Sequence, residues 1–194
     1  CKERIMDPKY QSLFTPWKIG NCEIKNRIVL TSMGGTSIFG WMEPHHFDKE
    51  AANFLLDRAK NNVGLILPGI APIRNVIGGN WLYKSKSSFR YLKPFMEELH
   101  KTGAKMFVQL TAGFGRSFAI SSMMEMLATN KVLGAIAKPF INIDQLTMSA
   151  SPNPNRWSDK VPSRAMTVDE IHEFIKAFGK TAKMCKDAGV DGVE

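Results

Sequence analysis

Short apolar runs alternate with amphipathic stretches along most of the chain, and glycine-bearing or polar breaks separate them. Arg27 to Met33 (RIVLTSM), Val63 to Gly69 (VGLILPG) and Lys105 to Leu110 (KMFVQL) have strand chemistry. Each run closes on glycine, at Gly34-Gly35, at Gly69, and in a loop with Gly113 and Gly115. Helical spacing over residues 44–61 brings Ala51, Phe54, Leu55 and Arg58/Ala59 together, and over 88–102 it puts Leu92, Phe95, Met96 and Leu99 on one face. Thr167-Val-Asp-Glu170 is a capping box opening a further helix, whose apolar stripe is expected at Val168, Ile171, Ile175, Phe178, Ala182 and Cys185. Ala188-Gly189 stops that helix, and Val190 to Glu194 begins a fourth strand. Near the start, Gly20-Asn21 separates Trp17–Ile19 from Cys22–Lys25 as a small hairpin, after a polar arm at residues 1–12.

Repeated strand–helix units with near-continuous apolar strands predict a parallel α/β sheet covered on both faces. The expected architecture is the amino-terminal half of a (β/α)8 TIM barrel, with about four of eight units in residues 1–194 and the remainder outside this chain. An unpaired central strand is a poor place for a folded chain to stop, because its backbone groups stay open. Residues 117–165 form a long excursion after the third strand, methionine-rich and then rich in Pro, Asn and Ser, with one or two short helices expected between Met123 and Ile136. A Rossmann sheet ranks second, since no G-x-G-x-x-G follows the first strand.

Composition changes this picture little. Hydrophobic residues at 44% and charged residues at 23% suit a globular domain. No apolar run approaches the ~20 residues that cross a bilayer, so no membrane partner is expected. The net charge of +8 is spread over predicted helix surfaces, without the interleaved aromatics that stack bases, and no nucleic-acid partner is expected. Cys1, Cys22 and Cys185 form no Cys-x-x-Cys pair, which argues against a disulfide framework or a metal site in this chain and for a cytoplasmic location.

Gln109 is the residue whose chemistry stands out. A primary amide at the end of a buried strand needs partners for both its donor and its acceptor. A flat heterocycle offering N–H and C=O on one edge satisfies both, with loop glycines letting backbone approach; a neighbouring backbone group is the plainer partner. Among other candidates, Pro44-His45-His46-Phe47-Asp48 reads as a helix start before it reads as a metal site. His172 is expected to be exposed, and His100 to sit at a helix end that suits a cation. The methionines of 123–126 suit packing or a lid, and Trp41, Trp81 and Trp157 suit either loop anchoring or a cleft wall.

LFTPWKIGNCEIKNRIVLTSM resembles the opening of the Old Yellow Enzyme family of FMN-dependent ene-reductases, and VGLILPGIAPI and MFVQLTAGFGR resemble its second and third strands. SPNPNRW followed by RAMTVDEIHEFIKAFGKTAKMCKDAGVDGVE resembles its helix into strand four. MGGTS and QLTAGFGR are most similar to the subgroup of 2-enoate and 2,4-dienoyl-CoA reductases of anaerobes. The resemblance implies that Ser32, Met33 and Gly34 lie along FMN, that Gly69 lets strand two approach the ring, and that Gln109 bonds its pyrimidine edge. Gly34 stands where many members carry threonine or cysteine, leaving that contact absent or with Thr36, and Thr111-Ala112-Gly113 replaces a loop that often holds histidine. The substrate-holding and proton-donating residues are expected beyond Glu194, so this chain alone is expected to be inactive. The resemblance further implies an α,β-unsaturated carbonyl substrate, NADH as donor, a homo-oligomer, and FAD with a 4Fe–4S cluster elsewhere in the full protein. A non-redox barrel lyase or aldolase, or a non-catalytic interaction module, is the alternative; Lys105 precedes its strand, which counts against a Schiff-base role.

Overall fold

The computed structural model describes residues 7–34, 40–75 and 78–194. The loop at 35–37, the Thr36 contact and the first residues of the arm fall outside these. Pro8–Phe14 is a 3-10 helix capped by the Asp7 carboxylate, so the second half of the polar arm is ordered rather than frayed. The hairpin follows as β1 (Trp17–Ile19) and β2 (Cys22–Ile24), antiparallel as its turn sequence requires. The first long apolar run supplies β3 (Val29–Leu30).

Residues 42–47 depart from the expected helix start. They form a tight hairpin of β4 (Met42–Glu43) and β5 (His46–Phe47), with His45 at φ +65° in the turn. Asp48 then caps α1 (Lys49–Lys60) by accepting from the Ala51 N–H at 3.0 Å. Next come β6 (Leu65–Ile66), β7 (Ala71–Pro72), α2 (Lys86–Lys101), β8 (Lys105–Val108) and β9 (Leu110–Thr111). The excursion contains α3 (Ser122–Thr129), α4 (Lys131–Ala137), α5 (Ile143–Leu146) and β10 (Met148–Ser149), and β11 (Arg164–Ala165) returns beside β10. The chain closes with α6 (Val168–Asp187) and β12 (Gly192–Val193).

The central sheet has the order β3-β6-β8-β12, all parallel. Each strand therefore lies beside the one that precedes it in the chain, the order of consecutive barrel strands and not the reversal of a Rossmann sheet. Ile66, Met106 and Val108 are wholly buried in one core with Ala52, Leu55, Leu92, Met96 and Leu99 of α1 and α2. Ile143, Leu146 and Val161 make a second, smaller core inside the excursion. No helix among the described residues is long and apolar enough to cross a membrane.

The buried face of α6 is Phe174, Ala177, Thr181 and Cys185, with Trp81 set edge-on against Phe174 at 5.2 Å. Val168, Ile171 and Ile175 of the expected stripe are exposed instead, at 66%, 38% and 61%. The helix carries two apolar stripes, and the loop after β7 covers only one.

Two carboxyls titrate in opposite senses. Glu170 completes the capping box, accepting from the Thr167 N–H at 2.8 Å, and takes a bidentate pair from Arg164 at 2.8 Å each. Chiefly through Arg164, its pKa is held down at about 2. Its contribution is complete above ~4.5 and fades as pH falls from there towards 2, so Glu170→Gln is expected to cost about 1 kcal/mol at pH 7 and almost nothing at pH 2. Burial pushes Glu43 up to about 7. Its penalty is absent below ~4.5, grows as pH rises to 7 and is constant above, so Glu43→Gln is expected to stabilise the fold at pH 8 by on the order of 2 kcal/mol relative to its effect at pH 4. Urea unfolding midpoints across pH 2–8 check both.

Candidate functional site

Alternation along β8 decides what reaches the open face of the sheet. Met106 and Val108 point into the core, while Lys105, Phe107 and Gln109 are half-buried on the opposite face. Gly192 pairs with Phe107, and a Cβ there would sit 2.7 Å from the phenyl ring, so the ring occupies the space a side chain would need. Beyond it, the Glu194 N–H donates to Val108 O at 2.9 Å and Glu194 O accepts from the Leu110 N–H at 2.8 Å. These two bonds set Glu194 beside Gln109. At the other end of the pair, Asp191 accepts from Lys105 Nζ at 2.9 Å, from the Met106 N–H at 3.0 Å, and bonds His100 Nε2 at 2.8 Å. His100 is thus tied to a carboxylate, a partner its helix-end position did not reveal.

Among the described residues, the Gln109 amide bonds two side chains and no backbone group. Ser32 Oγ donates to Gln109 Oε1 at 2.9 Å, and Gln109 Nε2 donates to Glu194 Oε1 at 3.4 Å. Residues after strands one, three and four are thereby joined along one rim. Glu194 was not among the expected site residues: its partner lies far away in sequence, and only the pairing register brings the two together.

Met33, Gly34 and Gly69 form a second contact on the same rim. A Cβ on Gly69 would lie 2.1 Å from the Met33 carbonyl oxygen and 3.0 Å from Gly34 Cα. The close approach that glycine permits here is to the end of strand one. Met33 is 53% exposed, and a Cβ on Gly34 would meet nothing within 4 Å, so that side of the rim is open. A cavity of about 200 Å³ behind it is lined by Met33, Gly34, Gly69, Trp41, Phe54 and Leu55 among others. It is smaller than the ~300 Å³ at which typical small-molecule sites begin.

The remaining candidates scatter. Trp41 is fully buried, and Trp81 carries Arg74 over its face at 4.8 Å. Trp157 is 59% exposed and donates to Ser117 O. Met123 and Met126 are exposed, whereas Met124 packs on the small core. Arg116 and His172 are exposed, and Thr111 Oγ1 accepts from the Gly113 N–H at 3.2 Å in a local turn. Among the described residues no three of His, Cys, Asp and Glu gather as a metal site.

An ordered run of parallel strands whose carboxyl ends share one polar rim defines an α/β protein of barrel type. Residues 12–194 match the NADH:flavin oxidoreductase / NADH oxidase family, and the chain belongs to it. It is 33% identical to a cinnamate reductase of Clostridium sporogenes over 97% of this chain and 26% of that protein. Its fold is similar to an Old Yellow Enzyme from Pichia sp., with TM-score 0.62 and 22% identity over 94% of this chain and 45% of that one. It is also similar to a 2-naphthoyl-CoA reductase, with TM-score 0.64 and 20% identity over 95% of this chain and 27% of that one. The chain therefore spans about a quarter of the length of its cinnamate reductase relative.

Gly69→Ala is expected to push the ends of strands one and two apart and to destabilise the protein by about 1–3 kcal/mol. Chemical denaturation of the variant beside the parent protein checks this.

Proposed function

We propose that the full protein is an FMN-dependent reductase of C=C bonds conjugated to a carbonyl, with 2-enoate or enoyl-type substrates. The observation that carries this is the hydrogen-bond arithmetic of Gln109. Its oxygen has two lone pairs and gives one to Ser32; its nitrogen has two N–H groups and gives one to Glu194. One acceptor site and one donor remain, the two kinds of partner that an N–H/C=O ring edge takes. Ser32, Met33 and Gly34 offer an exposed stretch beside it, and Gly69 keeps that stretch in place. These residues fit an isoalloxazine edge.

FMN held there would supply the hydride for the β-carbon; with a proton at the α-carbon, the net change would be alkene plus NADH plus H⁺ giving the saturated product and NAD⁺. This chain's part is to hold and orient the ring edge. The groups that polarise the substrate carbonyl and deliver the proton are proposed to follow Glu194. The same holds for any FAD and 4Fe–4S site: burial raises Cys185 to about 12, and raises Cys22 too, which opposes the thiolate that a cluster needs. The exposed Val168, Ile171 and Ile175 support reading residues 1–194 as the first units of a barrel, with later units covering that face. The relative named for cinnamate favours an aryl or alkyl enoate over a ketone.

The full-length protein, purified without oxygen, is expected to be yellow and to release FMN on denaturation. Gln109→Leu is expected to weaken FMN binding about tenfold, from two lost hydrogen bonds partly offset by water. A folded full-length protein that stays colourless when offered FMN would overturn the proposal.

A further inference from the structure

Building on the FMN reading above, we infer that Glu194 is a positioning residue. Its carboxylate fixes which way round the Gln109 amide lies, and it sets a negative charge one hydrogen bond from the ring edge that Gln109 holds.

The two ends of a primary amide have nearly the same shape but opposite hydrogen-bonding roles. Ser32 does not decide between them, because a hydroxyl both donates and accepts. A carboxylate only accepts, so the end of Gln109 that faces Glu194 Oε1 at 3.4 Å must be Nε2. Swapping the ends would set the amide oxygen against the carboxylate and lose the donor, which disfavours the swapped amide roughly tenfold or more. Glu194 is a firm reference because both its backbone groups bond strand three, to Val108 O and the Leu110 N–H. Its side chain emerges on the same face as Gln109 because Gly192, two residues earlier, faces Phe107. The spare acceptor and spare donor of Gln109 therefore have a fixed order along the rim, and a ring edge is read in one direction only.

The charge has a second consequence. Reduction of a bound flavin adds negative charge to the ring, and a nearby carboxylate opposes it. Glu194 thus holds the reduction potential down while it tightens binding through Gln109.

The test is anaerobic redox titration and FMN titration of the full-length protein, with thermal melting in parallel. Glu194→Gln is expected to bind FMN about tenfold more weakly and to shift the reduction equilibrium about tenfold towards the reduced form, ~30 mV for a two-electron couple. Glu194→Asp keeps the charge but shortens the reach; it is expected to lose affinity while its potential stays near that of the parent. A parent protein that binds FMN, with Glu194→Gln leaving affinity and potential unmoved, overturns the role of Glu194 alone. A lowered melting temperature with an unmoved potential does the same, since that is what a merely structural residue would give. A parent protein that binds no FMN overturns the FMN reading, and this inference with it.

Discussion

Three hydrogen bonds to the Asp191 carboxylate, from Lys105, His100 and the Met106 N–H, pin the start of strand four against strand three. The carboxylate side chain is only 10% exposed, so leaving any of these donors unmatched is expensive. This clamp decides everything further along the pair. With it in place, Gly192 faces Phe107 and Glu194 faces Gln109. A slip of one residue would turn Val193 inward and Glu194 outward, removing the rim contact altogether. Chemistry at the carboxyl ends of the strands thus depends on electrostatics at their amino ends.

Strand one is placed by a different device, close backbone approach. Asn26 is buried, accepts from the Ile28 N–H at 3.0 Å and donates to Asn62 O at 2.7 Å, so the chain entering strand one is tied to the turn entering strand two. Gly64 makes room for it: a Cβ there would lie 2.4 Å from Asn26 Oδ1. At the far end Gly69 plays the same part for Met33. Strands one and two are therefore held together by a glycine at each end, and Ser32 reaches Gln109 because both contacts hold.

How much of this was legible in the sequence depends on the range of the interaction. Strand runs, capping box and helix faces are local, and Leu92, Phe95, Met96 and Leu99 are buried on α2 as their spacing implies. On α6, periodicity predicts a stripe through Ile171 and Ile175, whereas the buried face is Phe174 with Ala177 and Thr181. The choice was made by Trp81, a residue remote in the chain, docking on Phe174. The hairpin of β4 and β5 leaves no mark in the sequence pattern because two-residue strands have no period, and its turn uses His45 in place of a glycine. Gln109 announced itself as a buried-strand amide; Glu194 did not, because a carboxylate after a strand looks like any solvated end.

The excursion shows how a long insertion is mounted without disturbing the rim. It carries a small core of its own, Ile143, Leu146 and Val161. It is joined to the rest by Met148, which packs against the main core, and by specific polar contacts. Asn155 Nδ2 donates to Phe118 O and the Arg156 N–H to Arg116 O, and Gly115, at φ +52°, brings its backbone close to the Met148 carbonyl, where a Cβ would stand at 3.2 Å. The glycines after strand three therefore serve two ends: Gly113 lies open, with nothing within 4 Å of its would-be Cβ, while Gly115 seats the excursion.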